Sequence, residues 1–131
     1  MLHHLKLFFT LLILFATFSH AKTMTDFNTS KEACEVKEDA VACVRMFYFY
    51  IPTRHTFIKG LEVNIKKALY YAKKACNLGD EDGCFSVGML IYYGDDRNNI
   101  VANKKEGRKF FKKACDLGKE DSCALFLNKS F

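Results

Sequence analysis

Lys73-Lys74-Ala75-Cys76-Asn77-Leu78-Gly79-Asp80-Glu81-Asp82-Gly83-Cys84 returns 39 positions later as Lys112-Lys113-Ala114-Cys115-Asp116-Leu117-Gly118-Lys119-Glu120-Asp121-Ser122-Cys123, with nine of the twelve residues identical. Recurrence at such a period marks a repeat architecture, in which each unit buries its apolar face only against its neighbours. Cysteines eight positions apart end each copy. Along a continuous α-helix eight residues would separate their Cα atoms by about 12 Å, beyond the roughly 7 Å that a disulfide tolerates. A bridge within the unit requires the chain to reverse. Leu78-Gly79 and Leu117-Gly118 supply the reversal, because glycine just past a helix end takes the left-handed conformation that terminates it, with the leucine expected to pack back under the turn.

Six cysteines allow fifteen pairings, and one treats every unit alike: Cys34 with Cys43, Cys76 with Cys84 and Cys115 with Cys123. Each bridge then staples a helical hairpin and stabilises it by roughly 2.5 kcal/mol on the loop-entropy argument. That matters in an array of only two to three units.

Asn64 and Asn103 stand at equivalent places upstream and suit helix N-caps, Asn103 with Glu106 at capping-box spacing. First helices are expected from about Ile65 to Cys76 and from Lys104 to Cys115. Ala68, Ala72 and Ala75, and correspondingly Gly107, Phe111 and Ala114, line one face, where small residues let the paired helix approach closely. The second helices are expected to follow the second cysteines, through Phe85 to Tyr93 and Ala124 to Leu127. The first unit is degenerate: its cysteines lie nine apart, Val36-Lys37 replaces Leu-Gly, and its first helix is expected only from Ser30.

Residues 1–21 read as a cleavable secretory signal, with Lys6 near the start, an apolar run from Leu7 to Phe18 and a Ser19-His20-Ala21 end. That run of twelve positions, broken only by Thr10 and Thr17, falls short of the roughly 20 that a helix needs to span a bilayer. Export to the periplasm or outside the cell follows, with a mature chain that begins at Lys22 and is not membrane-spanning. Its formal charge of +4, from 19 basic and 15 acidic residues, does not read as a nucleic-acid binder. All six cysteines survive processing, and an even count in an exported chain of this size reads as a disulfide framework. Residues 22–29 are expected as a flexible tail, followed by a repeat domain over 30–131 divided into units 30–61, 62–100 and 101–131.

The run Ala68-x-x-Tyr71-x-x-x-Ala75-Cys76-x-Leu78-Gly79-x-x-x-Gly83-Cys84, followed by the glycines and tyrosines of Gly88 to Gly94, resembles the Sel1-like repeat, a relative of the tetratricopeptide repeat. The paired cysteines narrow the resemblance to the Helicobacter cysteine-rich protein family. It implies an all-α fold, a short α-solenoid of disulfide-stapled antiparallel helix hairpins. It also implies penicillin binding with weak β-lactamase activity, or a secreted factor that meets host cells. The sequence stops at Phe131 without an obvious polar capping helix, as expected of a short or truncated member.

The residues name no catalytic group. A serine β-lactamase needs a serine with lysine three positions on, and the mature chain offers only Thr56-Phe57-Ile58-Lys59. Zinc chemistry would need several histidines, whereas the mature chain has His55 alone, so neither metal nor other cofactor is expected. The candidate ligand-binding residues are Lys73, Lys74, Lys112 and Lys113, on equivalent helical positions, extended by Lys66, Lys67, Lys104, Lys105 and Lys109. Such a face could hold a peptidoglycan fragment, the carboxylate of a β-lactam or a protein segment. Phe47 to Ile51 carries more consecutive apolar residues than one buried helical face requires and is expected to include an exposed partner-binding patch. Asp26-Phe27-Asn28-Thr29-Ser30 fits the acidic, extended glycosylation sequon of some bacterial export systems.

Overall fold

The computed structural model describes residues 24–52, 58 and 60–128. The signal segment, His55 and, of the serine-enzyme near match, Thr56, Phe57 and Lys59 lie outside them. Among the described residues six helices follow in order: α1 Met24–Glu35, α2 Ala40–Tyr50, α3 Ile65–Asn77, α4 Glu81–Tyr93, α5 Lys104–Asp116 and α6 Glu120–Leu127, with a 3-10 turn at Asp96–Asn98. Among the described residues the one extended pairing is a bridge between Asp95 and Ile100. The architecture is an all-α array of three hairpins.

Side chains start the helices where the sequence asks for them. Asn64 Oδ1 accepts from the Lys67 N–H and Asn103 Oδ1 from the Glu106 N–H, both at 2.9 Å. Asp39 and Asp80 cap α2 and α4 in the same way. The reciprocal half of the capping box does not form, because the Asn103 N–H donates to the Ile91 carbonyl and the Glu106 carboxylate pairs with Lys109. Gly79 (φ 89°) and Gly118 (φ 110°) end α3 and α5 in the left-handed region. Asp80 N–H donates to the Ala75 carbonyl and Gly79 N–H to that of Cys76, the paired bonds of a Schellman turn, and Lys119 and Gly118 repeat them on Ala114 and Cys115. Leu78 and Leu117 stay 38% and 40% exposed rather than tucked under the turn.

The first hairpin turns without glycine. Glu38 takes the left-handed conformation at φ 53°, and one extra residue lies between the helices, which accounts for the nine-residue cysteine spacing. Here the expected boundaries change. Helix α1 begins at Met24 rather than Ser30, so 24–29 is not a tail: Phe27 packs edge-on against Phe49 at 5.5 Å and Tyr50 at 5.8 Å, and Ser30 is buried beside it. The second helices also start before, not after, the second cysteines, which fall in their first turns.

Each helix packs on the next in sequence, and α2 also touches α4. All three disulfides are closed within their own hairpins, with Cα–Cα separations of 4.8, 4.4 and 4.7 Å from first to last. Ala68, Ala72, Ala75 and Ala114 are fully buried, as the close-approach face requires. Glycine does the same work across the α4–α5 contact: a Cβ on Gly107 would lie 2.6 Å from Tyr92 Cβ, and one on Gly88 2.6 Å from the Phe111 ring. Helix α2 is enclosed by α1, α3 and α4, so Phe47, Phe49 and Tyr50 are core and the expected exposed aromatic patch reduces to Tyr48.

Candidate functional site

Aligning the hairpins on Cys34, Cys76 and Cys115 gives every first helix the same outward row. On α1 it is Met24, Asn28, Lys31 and Glu35, on α3 Lys66, Tyr70, Lys73 and Asn77, and on α5 Lys105, Lys109, Lys112 and Asp116, all exposed. Steps of four, three and four residues keep each set on one stripe of its helix. The third place in the row is lysine in all three units.

Charge is segregated along the chain. Helix α3 has four lysines and no acid, and α5 has five lysines and Arg108 against Glu106 and Asp116, so each carries +4. Between them, residues 78–103 carry Asp80, Glu81, Asp82, Asp95 and Asp96 against Arg97 alone. The acids on α5 are answered locally: Lys109 meets Glu106 at 2.8 Å and Lys112 meets Asp116 at 2.7 Å, exposed pairs that add little stability.

Of the four sequence-derived candidates, Lys73 and Lys112 lie on the stripe, whereas Lys74 and Lys113 sit about 100° round the helix. Lys112 is engaged with Asp116; Lys73, Lys74 and Lys113 meet no carboxylate among the described residues at ion-pair distance. Two lysines at the row's edge are tied to the fold: Lys67 Nζ lies 5.3 Å from the Tyr50 ring centre and Lys104 Nζ 5.4 Å from that of Tyr92. Lys119 pairs with Asp82 at 2.7 Å and lies over Phe85, joining the second hairpin to the third. That hydrogen bond holds its ammonium above the ordinary lysine range.

One polar contact was not anticipated. Tyr71 donates from its hydroxyl to Glu35 Oε1 at 2.5 Å, across from α3 to the end of α1, and its ring stacks on Tyr50 at 5.8 Å. Burial first, and then the bond to Glu35, pushes the Tyr71 hydroxyl well above its ordinary value, and burial with the same carboxylate raises Tyr50. The place equivalent to Tyr71 is Phe110 and that equivalent to Glu35 is Asn77, so this contact is peculiar to the α1–α3 junction. The mismatch between repeats was its only signal in the sequence. No cluster of metal-ligating side chains occurs among the described residues.

The Sel1 repeat family matches residues 57–80 and 81–119. Among solved structures, the Helicobacter pylori cysteine rich protein B is 35% identical, with a TM-score of 0.64 over 76% of this chain and 68% of that one. The chain belongs to the Helicobacter cysteine-rich family of Sel1-like repeat proteins. No curated protein matches it. Sel1 repeats generally mediate protein interactions. In this cysteine-rich member the three closed disulfides mark an oxidising, extracytoplasmic setting. Among the described residues no helix is long and apolar enough to cross a membrane.

Proposed function

We propose that the chain is an exported binding module whose outward row on α3 and α5 takes an acidic segment of a partner protein. The observation that carries this is the concentration of +4 on each of those two helices while the intervening stretch is acidic. Complementary charge of this kind steers encounter and selects partners. Tyr70, 57% exposed between Lys66 and Lys73, offers an aromatic anchor within the cationic stripe.

Fluorescence anisotropy with labelled acidic peptides and their lysine-substituted counterparts tests the reading. Acidic peptides should bind, weaken as salt rises through about 0.15 M, and lose binding to a Lys66→Glu, Lys73→Glu double variant that keeps its helical circular dichroism. Equal binding of both peptide classes, or indifference to the double variant, would refute it.

The ammonium groups of Lys73, Lys74 and Lys113, which meet no carboxylate among the described residues, equally suit the carboxylate of a β-lactam or a peptidoglycan stem peptide, the ligand class that the family resemblance implies. Retention on immobilised penicillin, competed by free penicillin, would support this second reading. Turnover of a chromogenic cephalosporin above a metal-free blank would establish hydrolysis.

A further inference from the structure

The sequon Asp26-Phe27-Asn28-Thr29-Ser30 is not absorbed by the fold or by the binding reading. It lies on α1 with Asp26, Asn28 and Thr29 exposed, but with Phe27 8% and Ser30 5% exposed against the core. An oligosaccharyltransferase must hold the asparagine and the hydroxyl residue two places on in an extended segment. In the folded chain that segment is helical and its serine is covered. The sequon is complete in chemistry and closed in conformation.

Helix α1, however, has little to fold onto when it first leaves the membrane. Its staple needs Cys43, its aromatic partners are Phe49 and Tyr50, and its terminal contact is Tyr71. All of these follow it in the chain. An isolated twelve-residue helix is marginal in water. During N-to-C export the sequon therefore passes through an interval in which it is unfolded and accessible.

We propose that Asn28 is an N-glycosylation site, modified during export before α1 docks. This rests on the export reading of residues 1–21. In the transfer, Asn28 Nδ2 displaces lipid diphosphate from the anomeric carbon of a lipid-linked oligosaccharide. One N-glycosidic bond forms, the C–O bond to the diphosphate breaks, and the amide proton passes to the enzyme's base. Folding afterwards is unobstructed, because Asn28 faces solvent. It also occupies the same place in the outward row as Tyr70 and Lys109, so the sugar would stand on the face assigned to binding.

The test is export of the full chain, carrying an appended unstructured control sequon, from a bacterial host that supplies the transferase and its lipid-linked oligosaccharide. The control reports export and transfer by itself. Intact mass should show two added oligosaccharides, falling to one in Asn28→Gln and in Asp26→Asn. Modification of the control alone would overturn the site. Timing is read with purified components: a synthetic peptide of residues 22–36 should accept sugar on the order of tenfold or more faster than the folded, oxidised chain, whose sequon must first open locally. Equal rates would overturn the claim that docking closes the site.

Discussion

Replacing Gly107 by alanine sets two effects of opposite sign against each other. In an unobstructed helix interior the change would stabilise by about 1 kcal/mol through helix propensity. At this position the new Cβ would lie 2.6 Å from Tyr92 Cβ and 2.8 Å from Tyr92 Cα and N. Carbon atoms settle about 3.5–4.0 Å apart, so the shortfall is close to 1 Å. Two of the three obstructing atoms are backbone, so no rotamer change relieves the clash and α4 must move away from α5. Overpacking of this kind costs typically 1–3 kcal/mol. Separation also loosens the Tyr92–Phe111 ring contact at 5.7 Å, a further loss of about 1 kcal/mol. With the upper overpacking figure, the net destabilisation is about 3 kcal/mol. For a urea m-value of about 1.5 kcal/mol/M, the midpoint should fall by about 2 M. Equilibrium unfolding with the disulfides intact, followed by far-ultraviolet circular dichroism, measures it directly. An unchanged or higher midpoint would show that helix propensity dominates and that α4 and α5 are not in close contact at Gly107.

Three further outcomes are expected. Graded reduction with a small thiol, trapped by alkylation and mapped by mass, should open Cys115–Cys123 first, because those two are partly exposed whereas the other four cysteines are fully buried. Asn64→Ala and Asn103→Ala should each destabilise by about 1 kcal/mol in thermal or urea unfolding, through loss of the cap alone. Stability should fall as pH rises past the ordinary tyrosine value of 10.0, since the folded chain then keeps a Tyr71 proton that the unfolded chain has released. Unfolding of Tyr71→Phe across that range should show a shallower fall, softened rather than abolished because Tyr50 is raised too.

Much of the fold could be read from duplication. Equal treatment of the repeats leads to the disulfide pairing, and the positions of glycine, asparagine and alanine lead to turns, caps and close-packed faces. What escaped depends on contacts between dissimilar residues far apart in the chain. Helix α1 cannot be placed without Phe49 and Tyr50, which bury Phe27 from 22 and 23 positions away. The run Phe47–Tyr50 looks too apolar for one helical face until α2 is seen to have three helical neighbours. Lysines of the candidate surface stand out in the sequence. Their sorting into stripe, flank and ring-bound positions does not, since adjacent lysines differ by about 100° around the helix.

Asn64 and Asn103 each join two units as well as starting a helix. Their N–H groups donate to the carbonyls of Tyr50 and Ile91, at 2.9 and 2.7 Å, while their side chains cap α3 and α5. The joined residues are fourteen positions apart at the first junction and twelve at the second. The same hydrogen bond thus closes each connection at its two ends, although the two connections differ in length by two residues. Insertions or tags at exposed positions between the clamped residues, away from the buried Ile58 and Ile100, should be tolerated without rotating one hairpin against the next. The junctions are the natural places for an array of this kind to vary in evolution and to be re-engineered.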